Sequence, residues 1–88
     1  MTIRLHPHAA ARLPERGASA AEVRETVETG ERFAAKYGRT GFRRNFPFGG
    51  VWRSGAYATK QIEAYAVEEE HDWLVITVVV KYFGAVGA

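Results

Sequence analysis

The segment Trp73–Phe83 places the strongest constraint on how this chain folds. Its even positions, Leu74, Ile76, Val78, Val80 and Tyr82, are all apolar. Its odd positions are Trp73, Val75, Thr77, Val79, Lys81 and Phe83, apolar at all but two sites. Side chains alternate faces along a strand, so this pattern predicts a strand covered on both sides, the mark of a central strand. Thr77 and Lys81 interrupt it, and both point to the same face. The fold is therefore predicted to be built around a sheet.

The first thirty residues carry helix punctuation. Thr2–Leu5 alternates as a short first strand. Pro7 cannot continue a strand interior and can open a helix. His8–Arg16 is predicted as that helix, with Ala9, Ala10 and Leu13 on its apolar side. Pro14 lies inside it and removes one backbone hydrogen bond, which predicts a kink or a loose last turn. Gly17 is placed to close the helix in a left-handed conformation. Ser19 and Glu22 then form a capping box, which opens a helix running to about Thr29 and stopping at Gly30. Val23 and Val27 are its inward residues.

The remainder reads as strands. Gly38 and Gly41 bracket a turn. Phe42–Phe48 alternates, with Phe42, Arg44, Phe46 and Phe48 on the buried side and Arg44 at its edge. Gly49-Gly50 and Ser54-Gly55 predict a long, mobile connection. Ala58–Glu68 sets Ile62, Ala64 and Ala66 against Glu63, Tyr65 and Val67. Glu70-His71-Asp72 is a charged turn before the last strand. The predicted order is strand, two short helices, then three antiparallel strands. That is an α+β arrangement, a four-stranded sheet with the helices packed on one face.

At 88 residues, positions 1–88 are expected to form a single domain. The chain has no cysteine, so disulfides and thiolate metal sites are excluded. Residues 1–30 carry no basic-then-apolar signal segment, and Trp73–Val80 is too short an apolar run to cross a bilayer. A soluble cytoplasmic protein with no membrane partner is the expectation.

Charge is unevenly distributed. From Arg32 to Lys60 there are seven basic and no acidic residues, and from Gln61 to Asp72 five acidic and no basic ones. Phe33, Tyr37, Phe42, Phe46, Phe48 and Trp52 are interleaved with the basic block. Cations and aromatics together suit a nucleic-acid surface. The plainer reading is a solvated basic hairpin with aromatics in the core. Arg16, Arg39, Arg43, Arg44 and Lys60 are the candidate nucleic-acid contacts.

His8, Arg12 and Arg16 fall at spacing four, on one side of a single short helix. An imidazole beside two permanent cations suits phosphate chemistry or phosphate binding. His6, at a strand end, and His71, in the charged turn, are weaker candidates. No His/Asp/Glu cluster has metal-ligand spacing, no Gly-rich phosphate loop follows a strand, and no cofactor is expected. The two short helices also suggest a DNA-binding helix-turn-helix. Glu22, Glu25 and Glu28 argue against that, because an acidic recognition helix would be repelled by phosphates.

The residues His8-Ala9, Arg12, Glu15-Arg16-Gly17, Ser19 and Val23 carry a resemblance. So do Val75-Ile76-Thr77-Val78 and the middle segment Lys36–Phe46. Together they resemble an uncharacterised family of small bacterial proteins grouped with the RelE/ParE/HigB-like toxin superfamily. The resemblance covers most of the chain. The chain departs from it at Pro14, at Ala18 and in having no helix after Phe83. What the resemblance implies is a RelE-like fold shared with barnase-like nucleases. Many such relatives are metal-independent ribonucleases that cut messenger or transfer RNA; others inhibit gyrase.

A metal-independent ribonuclease needs a base for the ribose 2′-hydroxyl, donors for the charged phosphate, and an acid for the leaving oxygen. His8 is the first choice for base or acid, and Arg12 for phosphate. Thr77 and Lys81 are expected to meet the ligand on the open sheet face. For Arg16 the closing of its own helix is the favoured role. The functional expectation is a toxin-like, metal-independent endoribonuclease acting on RNA, with a separately encoded antitoxin-like partner. The alternative is a non-catalytic RNA- or protein-binding module of the same fold.

Overall fold

The computed structural model describes residues 2–86. In chain order its elements are β1 (Ile3–Leu5), α1 (Pro7–Arg16), α2 (Ala20–Thr29), β2 (Glu31–Ala34), a 3-10 turn at Lys36–Gly38, β3 (Thr40–Trp52), β4 (Gly55–Glu69) and β5 (Asp72–Phe83). They form an α+β fold with one mixed sheet, ordered β1-β5-β4-β3-β2. β1 is parallel to β5, and the other pairs are antiparallel.

The helical layer forms where its local signals lie. His6 precedes α1 and accepts the His8 N–H on Nδ1 at 3.1 Å. The helix runs through Pro14 and closes at Gly17, whose φ is 74°. There Ala18 N–H reaches Leu13 O at 3.2 Å and Gly17 N–H reaches Pro14 O at 3.3 Å. This pair of bonds is a Schellman closure. Both halves of the Ser19–Glu22 capping box are present.

α1 packs against β5, and α2 over β4 and β3. Ala9, Leu13, Val23 and Val27 meet Phe42, Phe46, Ile62, Ala64, Ala66, Trp73, Val75 and Val78 in the core. The Thr26 side chain is fully buried among them, with its hydroxyl donating to Glu22 O at 2.8 Å.

The sheet has five strands, not the four expected. The extra one, β2, leaves Gly30 directly and pairs with β3 as an outer edge. Its four residues hold one large apolar side chain, Phe33, which is too little alternation to mark a strand. The long connection expected between β3 and β4 is also absent. The two strands continue through it to a turn at Arg53-Ser54, with Arg53 at φ 57°. The Gly49-Gly50 pair instead takes up a register shift between Pro47 and Gly50.

Trp73–Phe83 is not the middle strand; β4 is. β1 covers β5 only from Trp73 to Val75, so beyond Val75 this strand is an edge alongside α1. The Arg16 guanidinium donates to Val78 O at 2.5 Å on that edge. A shift between Tyr65 and Ala66 leaves Ile76 as an extra residue and reverses the facing of the strand. Trp73 and Val75 therefore join Val78 and Val80 toward the helices. Thr77, Val79 and Lys81 share the opposite face.

At the far end of the β3–β4 hairpin, the Trp52 ring stacks on Tyr82 with centroids 5.1 Å apart. The Tyr82 hydroxyl donates to Arg16 O at 2.9 Å. Burial first, then the Glu22 charge, pushes that hydroxyl's pKa up. Gly17 lies against both rings, tying the end of α1 to the sheet.

Candidate functional site

The strand register sets three rows of side chains across the face without helices. The first is Phe33, Gly41, Tyr65 and Thr77. The second is Glu31, Arg43, Glu63 and Val79, and the third Asn45, Gln61 and Lys81. Helices fill the other face, so ligand-sized access to the sheet lies here.

Glu63 is the centre of this surface. Its side chain is 5% exposed although no helix covers it. Arg43 Nε donates to Glu63 Oε2 at 2.7 Å, the Tyr65 hydroxyl donates to Oε1 at 3.2 Å, and Lys81 Nζ lies 3.6 Å from Oε1. Burial pushes the Glu63 carboxyl up, but the Arg43 hydrogen bond, the Lys81 charge and the Tyr65 hydroxyl outweigh it. The group sits below its ordinary value and is ionised at neutral pH. Burial, then the Glu63 charge, pushes the Tyr65 phenol up. The Arg43 plane also lies 4.5 Å from the centroid of Phe33. A fixed carboxylate thus holds two cations and a phenol at set positions on an open sheet.

Two pockets flank this cluster. Along the β5 edge, His8, Arg12 and Arg16 of α1 face Ile76, Thr77 and Val78 across a cavity of about 240 Å³. The parallel β1–β5 pairing feeds the chain into α1 at this edge, which brings the first helix against the last strand. His8 and Arg12 are exposed, and among the described residues Arg12 has no ion-pair partner. The second cavity, about 430 Å³, is lined by Phe33, Lys36, Tyr37, Arg39, Tyr65 and Thr77, among others. Thr77 borders both.

The residues singled out in the sequence divide accordingly. His8, Arg12, Arg16 and Thr77 converge on one cavity. Lys81 does not line it and stands beside Glu63 instead. Arg39 lines the larger cavity, and Arg43 lines neither but pairs with Glu63. Lys60 does not face solvent. Its side chain is 9% exposed and its ammonium is held by Glu22 at 2.8 Å and Gly17 O at 2.9 Å, beneath the helices. Burial pushes the Glu22 carboxyl up, but the Lys60 hydrogen bond and charge and the Ser19 cap outweigh it and hold it below its ordinary value. Arg44 likewise points to the helix layer, pairing with Glu25 at 3.0 Å and with the Thr29 hydroxyl. Neither belongs to the open face. His6 caps α1, and His71 occupies the β4–β5 turn.

Glu63 and Tyr65 were not singled out from the sequence. Their signal lies in the alternation of β4, which sets them opposite Ile62, Ala64 and Ala66. Only the pairing of Arg43 with Glu63 gives it chemical meaning. Of the interleaved aromatics, Phe42 and Phe46 are core residues, whereas Phe33 and Tyr37 remain at the open face.

Among the described residues, no three His, Asp or Glu side chains gather closely enough to hold a metal ion. No helix of the described residues is long and apolar enough to cross a membrane. No protein-family model, curated protein or solved structure matches the chain. The geometry itself offers an imidazole and two guanidiniums in one pocket, joined through Thr77 to a cationic, aromatic surface. Those groups are suited to holding and transferring protons to a phosphodiester.

Proposed function

We infer that this protein is a metal-independent endoribonuclease of RelE-like, toxin-like kind, acting at the pocket between α1 and β5. The observation that carries the reading is the meeting of His8, Arg12 and Thr77 at one cavity, from opposite ends of the chain. In this reading the RNA strand lies over the cationic face and presents a phosphodiester to that cavity. The Arg12 guanidinium, with Arg16 behind it, holds the phosphate oxygens. The ribose 2′-oxygen attacks phosphorus and gives its proton to a base; the bond to the 5′-oxygen breaks, and that oxygen takes a proton. His8 supplies one of these transfers, and the Thr77 hydroxyl donates to the phosphate. The products are a 2′,3′-cyclic phosphate and a 5′-hydroxyl. A separately encoded antitoxin-like protein covering this cavity would be the partner.

The reading is tested by incubating the protein with total RNA in a chelator. It expects cleavage with cyclic-phosphate ends, lost in His8→Ala and in Arg12→Ala. Cleavage unchanged in both variants would remove these residues from the site.

A second reading, a non-catalytic RNA-binding module, is favoured by one feature. The Glu63 carboxylate is shielded and occupied by Arg43, Tyr65 and Lys81, so the centre of the face arranges cations and offers no free base. Tight, salt-sensitive RNA binding without cleavage would select it.

A further inference from the structure

The cavity under the Lys36–Gly38 turn has no part in the phosphate chemistry above, yet it is the larger of the two. Its walls are aromatic. Phe33 and Tyr65 meet edge to face, with centroids 6.0 Å apart. Gly41 lies between them in the register row, and the Phe33 ring covers it so closely that a Cβ there would fall 2.3 Å from Cε2. The missing side chain keeps the floor flat.

The outer wall is Tyr37. The residue is 86% exposed and takes no part in the core. Its backbone is left-handed, at φ 61° and ψ 35°, a conformation that non-glycine residues avoid. Gly38 follows at φ 71°. Ala35 N–H to Arg39 O at 3.0 Å and Arg39 N–H to Lys36 O at 3.2 Å hold the turn closed. A large aromatic side chain is thus presented to solvent from an unfavourable backbone by a braced loop. Core packing accounts for none of this.

The charge at this cavity has one sign. Lys36 and Arg39 line it, no acidic side chain does, and the Arg39 guanidinium lies 5.7 Å from the Tyr37 ring centroid. Flat aromatic walls with cations at the mouth match an unpaired nucleobase and its phosphate. The cavity volume of about 430 Å³ falls in the range of ordinary small-ligand sites. Double-stranded nucleic acid keeps its bases stacked inward and cannot enter.

We propose that Tyr37, Phe33 and Tyr65 form a base-stacking subsite that takes one unpaired nucleobase of a single-stranded RNA, with its phosphate held by Lys36 and Arg39. Thr77 joins this subsite to the His8–Arg12 cavity, so the stacked base lies beside the phosphodiester addressed there. The proposal rests on the reading of this face as an RNA surface, but not on cleavage.

The test uses a single-stranded oligoribonucleotide, 2′-O-methylated throughout so that transesterification is blocked, with one 2-aminopurine at its centre. Titration with the full chain is followed by fluorescence. Wild type and Tyr37→Phe are expected to quench the probe by stacking. Tyr37→Asn removes the ring but tolerates the left-handed backbone, so the fold is kept. It is expected to bind about ten-fold or more weakly and without quenching. Arg39→Ala is expected to bind more weakly, with a shallower salt dependence. Quenching and affinity unchanged in Tyr37→Asn would overturn the subsite, as would equal binding of a fully paired duplex. Tyr37-dependent quenching in a protein that cleaves no RNA would keep the subsite and remove the nuclease. Cleavage without Tyr37-dependent quenching would do the reverse.

Discussion

Arg43 donates to Glu63 at 2.7 Å on a sheet face that no helix covers, and the carboxylate side chain is nonetheless 5% exposed. The pair is shielded by its own neighbours, Tyr65 and Lys81, and it spaces the cations of the open face.

This pair gives the stability a defined acid dependence. The Glu63 carboxyl titrates below its ordinary value of 4.5 in the folded protein. Its contribution is therefore complete above about pH 4.5 and is lost as the pH falls through the depressed value. Glu63→Gln is expected to cost about 1–2 kcal/mol at pH 7, a discounted figure because the Arg43 side chain is about a third exposed. Urea unfolding at pH 7 and pH 3 checks it: the deficit should shrink at pH 3. Equal deficits at both would mean that the pair does not titrate with folding.

Two glycines separate backbone strain from close packing. Gly17 and Gly49 both have positive φ, 74° and 57°. A Cβ at Gly49 meets nothing within 4 Å, whereas at Gly17 it falls 2.3 Å from the Tyr82 hydroxyl and 2.6 Å from the Trp52 ring. Gly49→Ala should cost about 1 kcal/mol from the backbone alone. Gly17→Ala should cost about 3 kcal/mol or more, because the Trp52–Tyr82 stack must move. Thermal unfolding separates them by roughly 10 °C at this size.

Lys60 and Arg39 should behave in opposite ways. Lys60→Met leaves Glu22 without its ammonium and should destabilise by about 2 kcal/mol, while RNA affinity of the folded protein stays within about two-fold. Arg39→Ala should leave stability within about 0.5 kcal/mol and lower the salt slope of RNA binding by about one. Unfolding and salt-dependent binding, measured on both, decide it.

Much of the helical layer was legible because its signals are local. Gly17, Ser19, Glu22 and Gly30 act on residues within one turn, and each closes or opens a helix where its chemistry requires. The sheet was legible as strands but not as a pairing. One inserted residue, Ile76, moves Trp73 and Val75 to the helix face, and nothing within β5 marks it, since Leu74, Ile76 and Val75 are equally apolar. β2 escaped because four residues with one Phe carry no period. Lys60 closed a basic run and so read as surface. Its place in the alternation with Ile62 and Ala64 was the better guide. Glu63 counted only as the start of an acidic run, and its role needed the register that set it against Arg43. At the candidate site, spacing put His8 and Arg12 on one helix side, but their approach to Thr77 depends on the parallel β1–β5 pairing, a contact between the two ends of the chain.

The central claim is that His8 and Arg12 act on RNA at the β5 edge. The most direct measurement is the single-turnover cleavage rate of a single-stranded oligoribonucleotide in a chelator, for wild type, His8→Ala and Arg12→Ala, with folding verified by circular dichroism. The account predicts cleavage by wild type, slowed about 100-fold or more in each variant. Cleavage at the wild-type rate in both folded variants, or none by wild type, would contradict it.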